Sequence, residues 1–459
     1  MERYAERVFF MDEKIFDELF ELLNAGKFGT LKSELSEMNE VDIAEFFSML
    51  EPKQQLLVFR ILPKDLSAEV FAYLESEDQV NIVNSITDRE LSELVDELFL
   101  DDTVDFLEEV PASVVTRVLK IADKETRQLI NRFLRYPENS AGSIMTIEMV
   151  QLHDSLTVAQ AIETIRRTGI DKETIYTCYC IDKARHLVGT INLSELIFNE
   201  DNTFLSEIME EDASLISVNT LDDQEYVADI IRKYDLLSVP VTDNEGRLVG
   251  IVTIDDAVDV MEEEVTEDFE KMAAMTPSDD EYLKTGVFKL ARNRILWLLI
   301  LMISGTFTGM IIEGYETLLA GFVALTASMP MIMGTGGNAG SQASTLIIRG
   351  LALGEIEIKD YFKIVFKELR VAAICGLVLG LANIIRMYFF SEGDIKVFLV
   401  VSLAMFIAIV VAKLIGCSLP IFAKIVKIDP ALMAGPMIAT LVDIVTLVIY
   451  FALAKAFLF

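Results

Sequence analysis

In the last third of the chain the hydrophobic pattern loses its regular polar interruptions. Five mostly apolar segments, 294–312, 318–348, 370–390, 396–421 and 431–457, are each long enough to cross a bilayer as a helix. Before them the pattern is different. Residues 20–135 carry apolar positions at helical spacing, broken every 11 to 13 residues at Pro52, Pro63, Glu75, Asp88, Asp101 and Pro111. That rhythm predicts an all-α superhelix of short hairpins, although its period is too loose to name a repeat class. From Ala141 to Met261 two similar units follow, each with a short strand, an amphipathic helix and a hairpin leading into a capped helix. In the second unit, Val239–Val241, then Asp243-Asn244-Glu245-Gly246, then Leu248–Val252 is the strand–turn–strand signal.

Charge separates the same two halves. The 459 residues are 52% hydrophobic and carry a net charge of −34, a combination that requires a split chain. From Phe288 onward there are 14 Lys+Arg and 10 Asp+Glu, whereas the first 287 residues hold 25 and 63. The net charges are +4 and −38. An acidic half of that density repels nucleic acid and anionic lipid and attracts divalent cations. The opening MERYAERVFFMDEKIFDELFELL mixes acids with apolar residues at helical spacing and reads as an amphipathic helix, not a signal peptide.

Cys178, Cys180, Cys375 and Cys417 form no zinc spacing and no disulfide framework, which suits a reducing compartment. With only His153 and His186 present, a His-rich transition-metal site is disfavoured. Carboxylate oxygens for a hard cation such as Mg²⁺ are abundant.

Basic residues gather in the second inter-segment loop (Arg349, Lys359, Lys363, Lys367, Arg370) and the fourth (Lys424, Lys427). The first loop carries Glu313 and Glu316 alone, and the third is mixed (Arg386, Glu392, Asp394, Lys396). This predicts a multi-pass plasma-membrane protein, its N-terminal half cytoplasmic and its C-terminus outside.

Asp443 is the one acidic residue at mid-depth of the last segment, and an ionised group there costs about 3 kcal/mol on insertion scales. It predicts an ion pathway; the alternative is a protonated Asp hydrogen-bonded to a neighbouring helix. Gly435, Ala439 and Asp443 fall at i, i+4 and i+8, a stripe that makes room for a hydrated ion. Thr440 and Thr446 either add oxygens or bond back to their own helix. The second segment contains PMIMGTGGNAGSQAS, in which Asn338, Ser341, Gln342 and Thr345 share one helical face. It reads either as a pore lining or as a small-residue packing seam. Between Met261 and Val287, the acids Glu262, Glu263, Glu264, Glu267 and Asp268 crowd a connecting segment that is either a solvated linker or a regulatory helix.

The tandem units, with LLSVPVTDNEGRLVGIVTIDD in the second, resemble a pair of CBS domains. That resemblance implies regulation without catalysis and, in some members, nucleotide binding, so ATP is a ligand to expect there. The whole chain resembles the MgtE family of magnesium channels, most specifically through GTGGNAGSQ and DPALMAGPMIATLVD.

The resemblance implies a multidomain chain: an all-α superhelical N-domain (1–138), an α/β tandem CBS pair (139–261), a connecting plug-like helix (262–288) and an α-helical membrane domain of five spans (289–459). It implies a homodimer in membrane lipid, with a pore lined by the second and fifth spans. There Asp443 holds hydrated Mg²⁺, the Ala439 carbonyl touches its water shell, and Gly435 stands where some members carry a polar side chain. Mg²⁺-sensing positions carry over to Asp101 and Asp105, to Asp223, Glu225, Asp235, Asp256 and Asp259, and to Glu264, Glu267 and Asp268. Two carboxylates about 4 Å apart repel by about 4 kcal/mol at an effective dielectric of about 20, and a bridging dication reverses the sign. The expectation is therefore a Mg²⁺ importer that cytosolic Mg²⁺ closes. An exporter or coupled antiporter, and a membrane-anchored nucleotide sensor, are the competing readings. With no Gly-Lys phosphate loop and no second acid or Ser/His pair at membrane depth, the chain is not read as an enzyme.

Overall fold

The structure is a computed structural model of the full chain, and it describes residues 14–211, 215–278, 282–283, 285–390 and 394–458. Residues 1–13, where the amphipathic opening was expected, lie outside them, as does Glu392 of the third loop. The chain divides into two compact units, Met1–Met261 and Glu262–Phe459.

The first unit begins with a helical repeat far stricter than the sequence suggested. Successive helices start at Glu40, Pro52, Lys64, Ser76, Asp88, Leu100, Ala112 and Lys124, a step of 12 residues throughout. Three expected breaks, Pro63, Glu75 and Pro111, are the N-caps of these helices, and Pro52 fills a first helical position, where its fixed φ and missing N–H cost nothing. Equivalent repeat positions are buried: Phe46, Val58, Val70, Ile82, Leu94, Phe106, Val118 and Ile130 all face the core. Each such side chain contributes about 1.5–3 kcal/mol on leaving water. The period was hidden because one repeat position also takes polar residues. Gln55 and Gln79 are buried and donate to the carbonyls of Phe47 and Phe71, at 3.0 and 2.9 Å, tying each helix to the one before.

Two small sheets follow. Met149–His153, Thr174–Ile181, Leu187–Asn192 and Glu210–Glu211 form one, and Val218–Asn219, Ser238–Thr242 and Leu248–Thr253 the other. In both, the first pair is parallel and the next antiparallel. The two halves exchange equivalent contacts. A Cβ on Gly189 would meet Met209 Sδ at 2.8 Å, and one on Gly250 would meet Met145 Sδ at 2.8 Å. Leu187 N donates to Gly246 O while Leu248 N donates to Arg185 O. This internal pseudo-symmetry is the tandem CBS pair. From its second half a continuous helix, Ile254–Met272, runs through the expected boundary at residue 261.

Among the described residues the second unit holds five long helices: Val287–Glu313, Val323–Ala352, Tyr361–Phe390, Ile395–Ile425 and Gly435–Leu458. By length and composition alone, Val287–Glu313, Ile395–Ile425 and Pro430–Leu458 suffice to cross a membrane. The second and third are 30 residues each; the second carries the polar GTGGNAGSQ run and the third four charged residues in its first three turns. The second expected segment, 318–348, is not one helix. A short helix, Glu316–Gly321, precedes it and the break falls at Phe322. Ile395–Ile425 is central, packed on the second, third and fifth helices. Its Gly416 lies so close to Gly340 that a Cβ would fall on the Gly340 carbonyl oxygen.

Candidate functional site

The polar run of the helix Val323–Ala352 has two faces that differ in packing. Gly336 and Gly340 pack against the last span: a Cβ on Gly336 would come 3.1 Å from Thr446 Oγ1, and one on Gly340 2.8 Å from Ile438 Cγ2. Ser344 Oγ donates to Met433 O at 2.8 Å and Ser341 Oγ to Gly435 O at 3.5 Å. Ser341 therefore leaves the stripe that sequence placed it on. Gly334, Asn338, Gln342 and Thr345 face outward and are exposed. One helix thus carries a packing seam on one side and an exposed polar face on the other.

Beside that exposed face runs the stripe Gly435, Ala439 and Asp443, each partly exposed. Asp443 Oδ1 would stand 3.9 Å from a Cβ on Gly337, so the absence of a side chain at 337 leaves the carboxylate open. Among the described residues Asp443 makes no hydrogen bond and no ion pair. The bond to a neighbouring helix that the alternative reading of Asp443 requires is not found among the described residues. Thr440 Oγ1 donates back to Met437 O at 2.9 Å, and Thr446 is buried against Gly336, so neither adds an oxygen to the stripe. The Ala439 carbonyl lies inside the helix, where its second lone pair can still accept from water.

A second acidic locus lies in the first unit. The helix Leu100–Glu109 brings Asp101, Asp102 and Asp105 toward Asp256, Asp255, Glu173 and Glu148. Burial first, and then mutual repulsion, push the carboxyls of Asp101, Asp102, Asp105, Glu173 and Asp256 above their usual range. Asp102 and Asp256 rise to about 6 and Asp105 and Glu173 to about 7, and Asp101 is also pushed well above its ordinary value. Asp101 Oδ1 is buried without a hydrogen-bond partner among the described residues. Asp256 also caps its own helix, accepting from Thr253 Oγ1 at 2.6 Å. Sequence anticipated Asp101, Asp105 and Asp256 but missed Asp102, Asp255, Glu148 and Glu173. Adjacency to Asp101 and to Asp256 could have signalled Asp102 and Asp255; Glu148 and Glu173 carried no such signal.

The other sensor candidates are dispersed. Asp223 caps the helix Gln224–Tyr234 at its start and accepts from Glu225 N, while Asp235 ends it in a left-handed conformation with φ +52°. The two stand a whole 11-residue helix apart, so one chain cannot bring them to one ion. Glu225, Asp259 and Glu264 are already engaged in polar interactions. Among the described residues no three His, Cys, Asp or Glu side chains converge in metal-holding geometry.

In the second unit, Lys271 Nζ bridges Glu267 at 2.6 Å and Asp429 at 2.7 Å. Burial and Asp429 push Asp268 up to about 6, opposed by Lys271 and helped by Glu264 and Glu267. The same helix ends at Gly435: the Met272 carbonyl oxygen lies 2.7 Å from where a Cβ on Gly435 would be. Lys271 and Asp429 were not anticipated, although Asp429 heads the DPALMAG motif.

A family model described as a divalent cation transporter, MgtE, matches residues 329–453. The MgtE intracellular N domain matches 38–139, and the CBS domain 205–263. A magnesium transporter MgtE of Thermus thermophilus is 35% identical over 451 residues, 98% of this chain and 99% of that protein. One of Bacillus subtilis is 31% identical over 95% and 96%. The crystal structure of the soluble part of a magnesium transporter is 32% identical, covers 55% of this chain and 99% of its own, and superposes with a TM-score of 0.52. That of the cytosolic domain of the Mg²⁺ channel MgtE in complex with ATP is 36% identical, covers 53% and 99%, and gives 0.51. With its helical N-domain, its CBS pair and its apolar helices carrying an intramembrane acid, the chain is a membrane protein of the MgtE family.

Proposed function

We propose that this chain transports Mg²⁺ across the plasma membrane as a channel-like importer, closed by cytosolic Mg²⁺ at its acidic sites. The four-part division at residues 138, 261 and 288, five spans, a cytoplasmic N-terminal half and an outer C-terminus belong to this reading. One observation carries it: an intramembrane carboxylate, Asp443, without a protein partner among the described residues, beside an exposed polar helix face. Asn338 and Gln342 cannot face hydrocarbon, because each unpaired amide there costs several kcal/mol. A second copy placed across a water-filled axis would cover that face and supply a second Asp443. Mg²⁺ sheds its waters reluctantly and usually keeps several of them around one or two carboxylates, which two copies would provide. The driving force is the membrane potential, about 2.3 kcal/mol per charge per 100 mV and twice that for a dication.

The sensor logic uses the acids just described. Carboxylates forced together near Asp101 and Asp256, and near Asp268 and Asp429, repel until a cation joins them. Mg²⁺ then favours the compact arrangement by differential binding. Asp223, Glu225, Asp235 and Asp259 act in this reading through faces shared between two copies. ATP at the CBS pair is proposed from the likeness to the ATP-bound cytosolic domain.

The test is Mg²⁺ uptake into proteoliposomes by wild type and Asp443→Ala, with Ca²⁺, Mn²⁺ and Co²⁺ as competitors. Uptake or its selectivity should fall at least about tenfold, the loss of roughly 1.4 kcal/mol, in a variant that stays folded. Undiminished selective uptake would remove the pathway. A dependence of flux on a counter-ion would instead favour the antiporter.

A further inference from the structure

The helix Tyr361–Phe390 buries one side and leaves the other uncovered. Ile364, Glu368, Ala372, Gly376 and Gly380 are buried at steps of four, and the helix packs on Ile395–Ile425. Ile374, Leu377, Leu381 and Ile385 are exposed. At about 100° per residue, all four lie in the half of the helix that faces away from Glu368. An exposed apolar stripe of this kind marks a surface that meets lipid. The same half carries Phe362, Lys363, Phe366, Lys367 and Arg370 nearer the start of the helix, all exposed. The 30 residues rise about 45 Å, the thickness of a bilayer with its headgroups. The stripe therefore turns from apolar to basic close to where hydrocarbon gives way to phosphate. Helical side chains lean toward the N-terminus, which carries these cations further outward.

The protein itself makes little use of the three cations. Lys363 Nζ meets Asp360 at 2.8 Å in a solvent-screened surface pair. Arg370 lies 4.9 Å over the Phe366 ring and donates from Nε to the Phe366 carbonyl at 3.3 Å. Its two terminal nitrogens have no partner among the described residues, and neither has Lys367 Nζ. Glu368, the one acid inside this helix, points the other way, to Lys413 Nζ at 3.3 Å. That buried pair fixes the turn, so the cations opposite keep their direction. Phe362 and Phe366 are 82% and 60% exposed beside them. Phenyl rings one turn apart among cations suit the boundary between headgroups and acyl chains and not open water.

We propose that Lys363, Lys367 and Arg370 bind the phosphate of an anionic phospholipid, with Phe362 and Phe366 packed on the start of its chains. Arg370 offers paired N–H donors to phosphate oxygens, and Lys367 adds a point charge. A soluble anion gains those charges alone, whereas a lipid also covers the rings and continues along the Ile374–Ile385 stripe. The site requires only that Tyr361–Phe390 crosses the bilayer, as in the proposed function, and not that Asp443 carries ions.

The experiment titrates phosphatidylglycerol, and separately phosphatidylcholine, onto the full-length chain in neutral detergent and counts bound lipid by native mass spectrometry. Wild type should prefer phosphatidylglycerol. The double variant Lys367→Gln/Arg370→Gln should bind it about thirtyfold more weakly, equivalent to about 2 kcal/mol for two surface cations, with phosphatidylcholine unchanged. Lys427→Gln removes an exposed cation outside this face and should bind as wild type. So should Asp443→Ala, whatever its transport, which keeps this site separate from the ion path. An equal loss in Lys427→Gln would mean diffuse surface charge and overturn the site. Displacement of phosphatidylglycerol by glycerol phosphate at the same concentration would overturn it too, since the rings and stripe then add nothing. Unchanged phosphatidylglycerol binding in the folded double variant overturns it as well, and an altered oligomeric state there would assign the face to a second copy. Should the double variant fail to fold, Lys367→Gln decides: binding should weaken about fivefold, and an unchanged value overturns the site.

Discussion

The Met272 carbonyl oxygen occupies the place where Gly435 would carry a side chain, 2.7 Å from an ideal Cβ. Gly435 also has φ +38°, which disfavours any other residue there. The end of the acidic helix and the head of the Asp443 stripe thus fit together only because residue 435 is glycine. Gly435→Ala should cost about 1–2 kcal/mol in this contact from the backbone conformation alone. Under the proposed gating the contact belongs to the closed state. Inhibition of uptake by cytosolic Mg²⁺ should therefore require at least about fivefold more Mg²⁺ in the variant. An inhibition curve that overlays wild type would separate this contact from closure.

Lys271 sits between Glu267 and Asp429 as a tethered cation, and its ammonium is held charged against the pull of burial by those two partners. An ammonium in that position competes with a dication for the same oxygens. Lys271→Met should expose Glu267, Asp268 and Asp429 to one another and tighten Mg²⁺ binding several-fold, whereas Lys271→Arg should keep the wild-type value. Calorimetric Mg²⁺ titration of the detergent-solubilised chain distinguishes them. Equal affinities in wild type and Lys271→Met would mean the pair is only structural.

The Asp101–Asp256 locus predicts a pH effect whose sign is fixed. Asp102, Asp105, Glu173 and Asp256 have folded-state pKa values of about 6 to 7, above their ordinary 3.8 or 4.5. The folded state then binds more protons than the unfolded state between those limits, so without Mg²⁺ stability falls as pH rises through about 4 to 7. Above about 8 the dependence should flatten, because all four groups are ionised in both states. Mg²⁺ stabilises by mass action and should do so most at pH 8, less and less toward pH 5.5. Hydrogen exchange at residues 100–109 and 254–259, with and without Mg²⁺, reads this locally. Protection that rises with pH in the metal-free protein would contradict the assignment.

How much of this was written in the sequence depends on whether periodicity or proximity carries it. Helix starts at Pro52, Lys64, Ser76 and Ala112 were legible because proline and acidic caps mark them. The 12-residue period was not, because buried Gln55 and Gln79 occupy positions that a hydrophobic template scores as surface. Asp443 stood out, since an acid in an apolar run is conspicuous in one dimension. The division of GTGGNAGSQ into a packed side and an open side needed the last span to be in place: Gly336 and Gly340 look like Gly334 until Ile438 and Val442 lie against them. The partners of Asp101 and Asp268 were hidden for the same reason, as Glu173 and Asp429 are distant in the chain and carry no local signature.

The most buried ion pair among the described residues of the membrane unit was also invisible in sequence. Lys413 Nζ lies 3.3 Å from Glu368 Oε2, linking the fourth long helix to the third, with side-chain exposures of only 7% and 11%. In the sequence Lys413 falls inside the apolar segment 396–421 and Glu368 just ahead of the segment 370–390, with nothing to link them. Taking either away strands the other in a poorly hydrated interior, which costs about 3–5 kcal/mol, whereas removing both can be nearly neutral. Glu368→Gln and Lys413→Met should each lower the thermal stability of the solubilised chain strongly, and the double variant should recover most of the loss. The pair lies one residue beyond Ala412, whose carbonyl oxygen is 3.3 Å from a Cβ placed on Gly340, so its failure should loosen the crossing of the second and fourth helices. Additive losses in the double variant would show instead that each charge has its own partner.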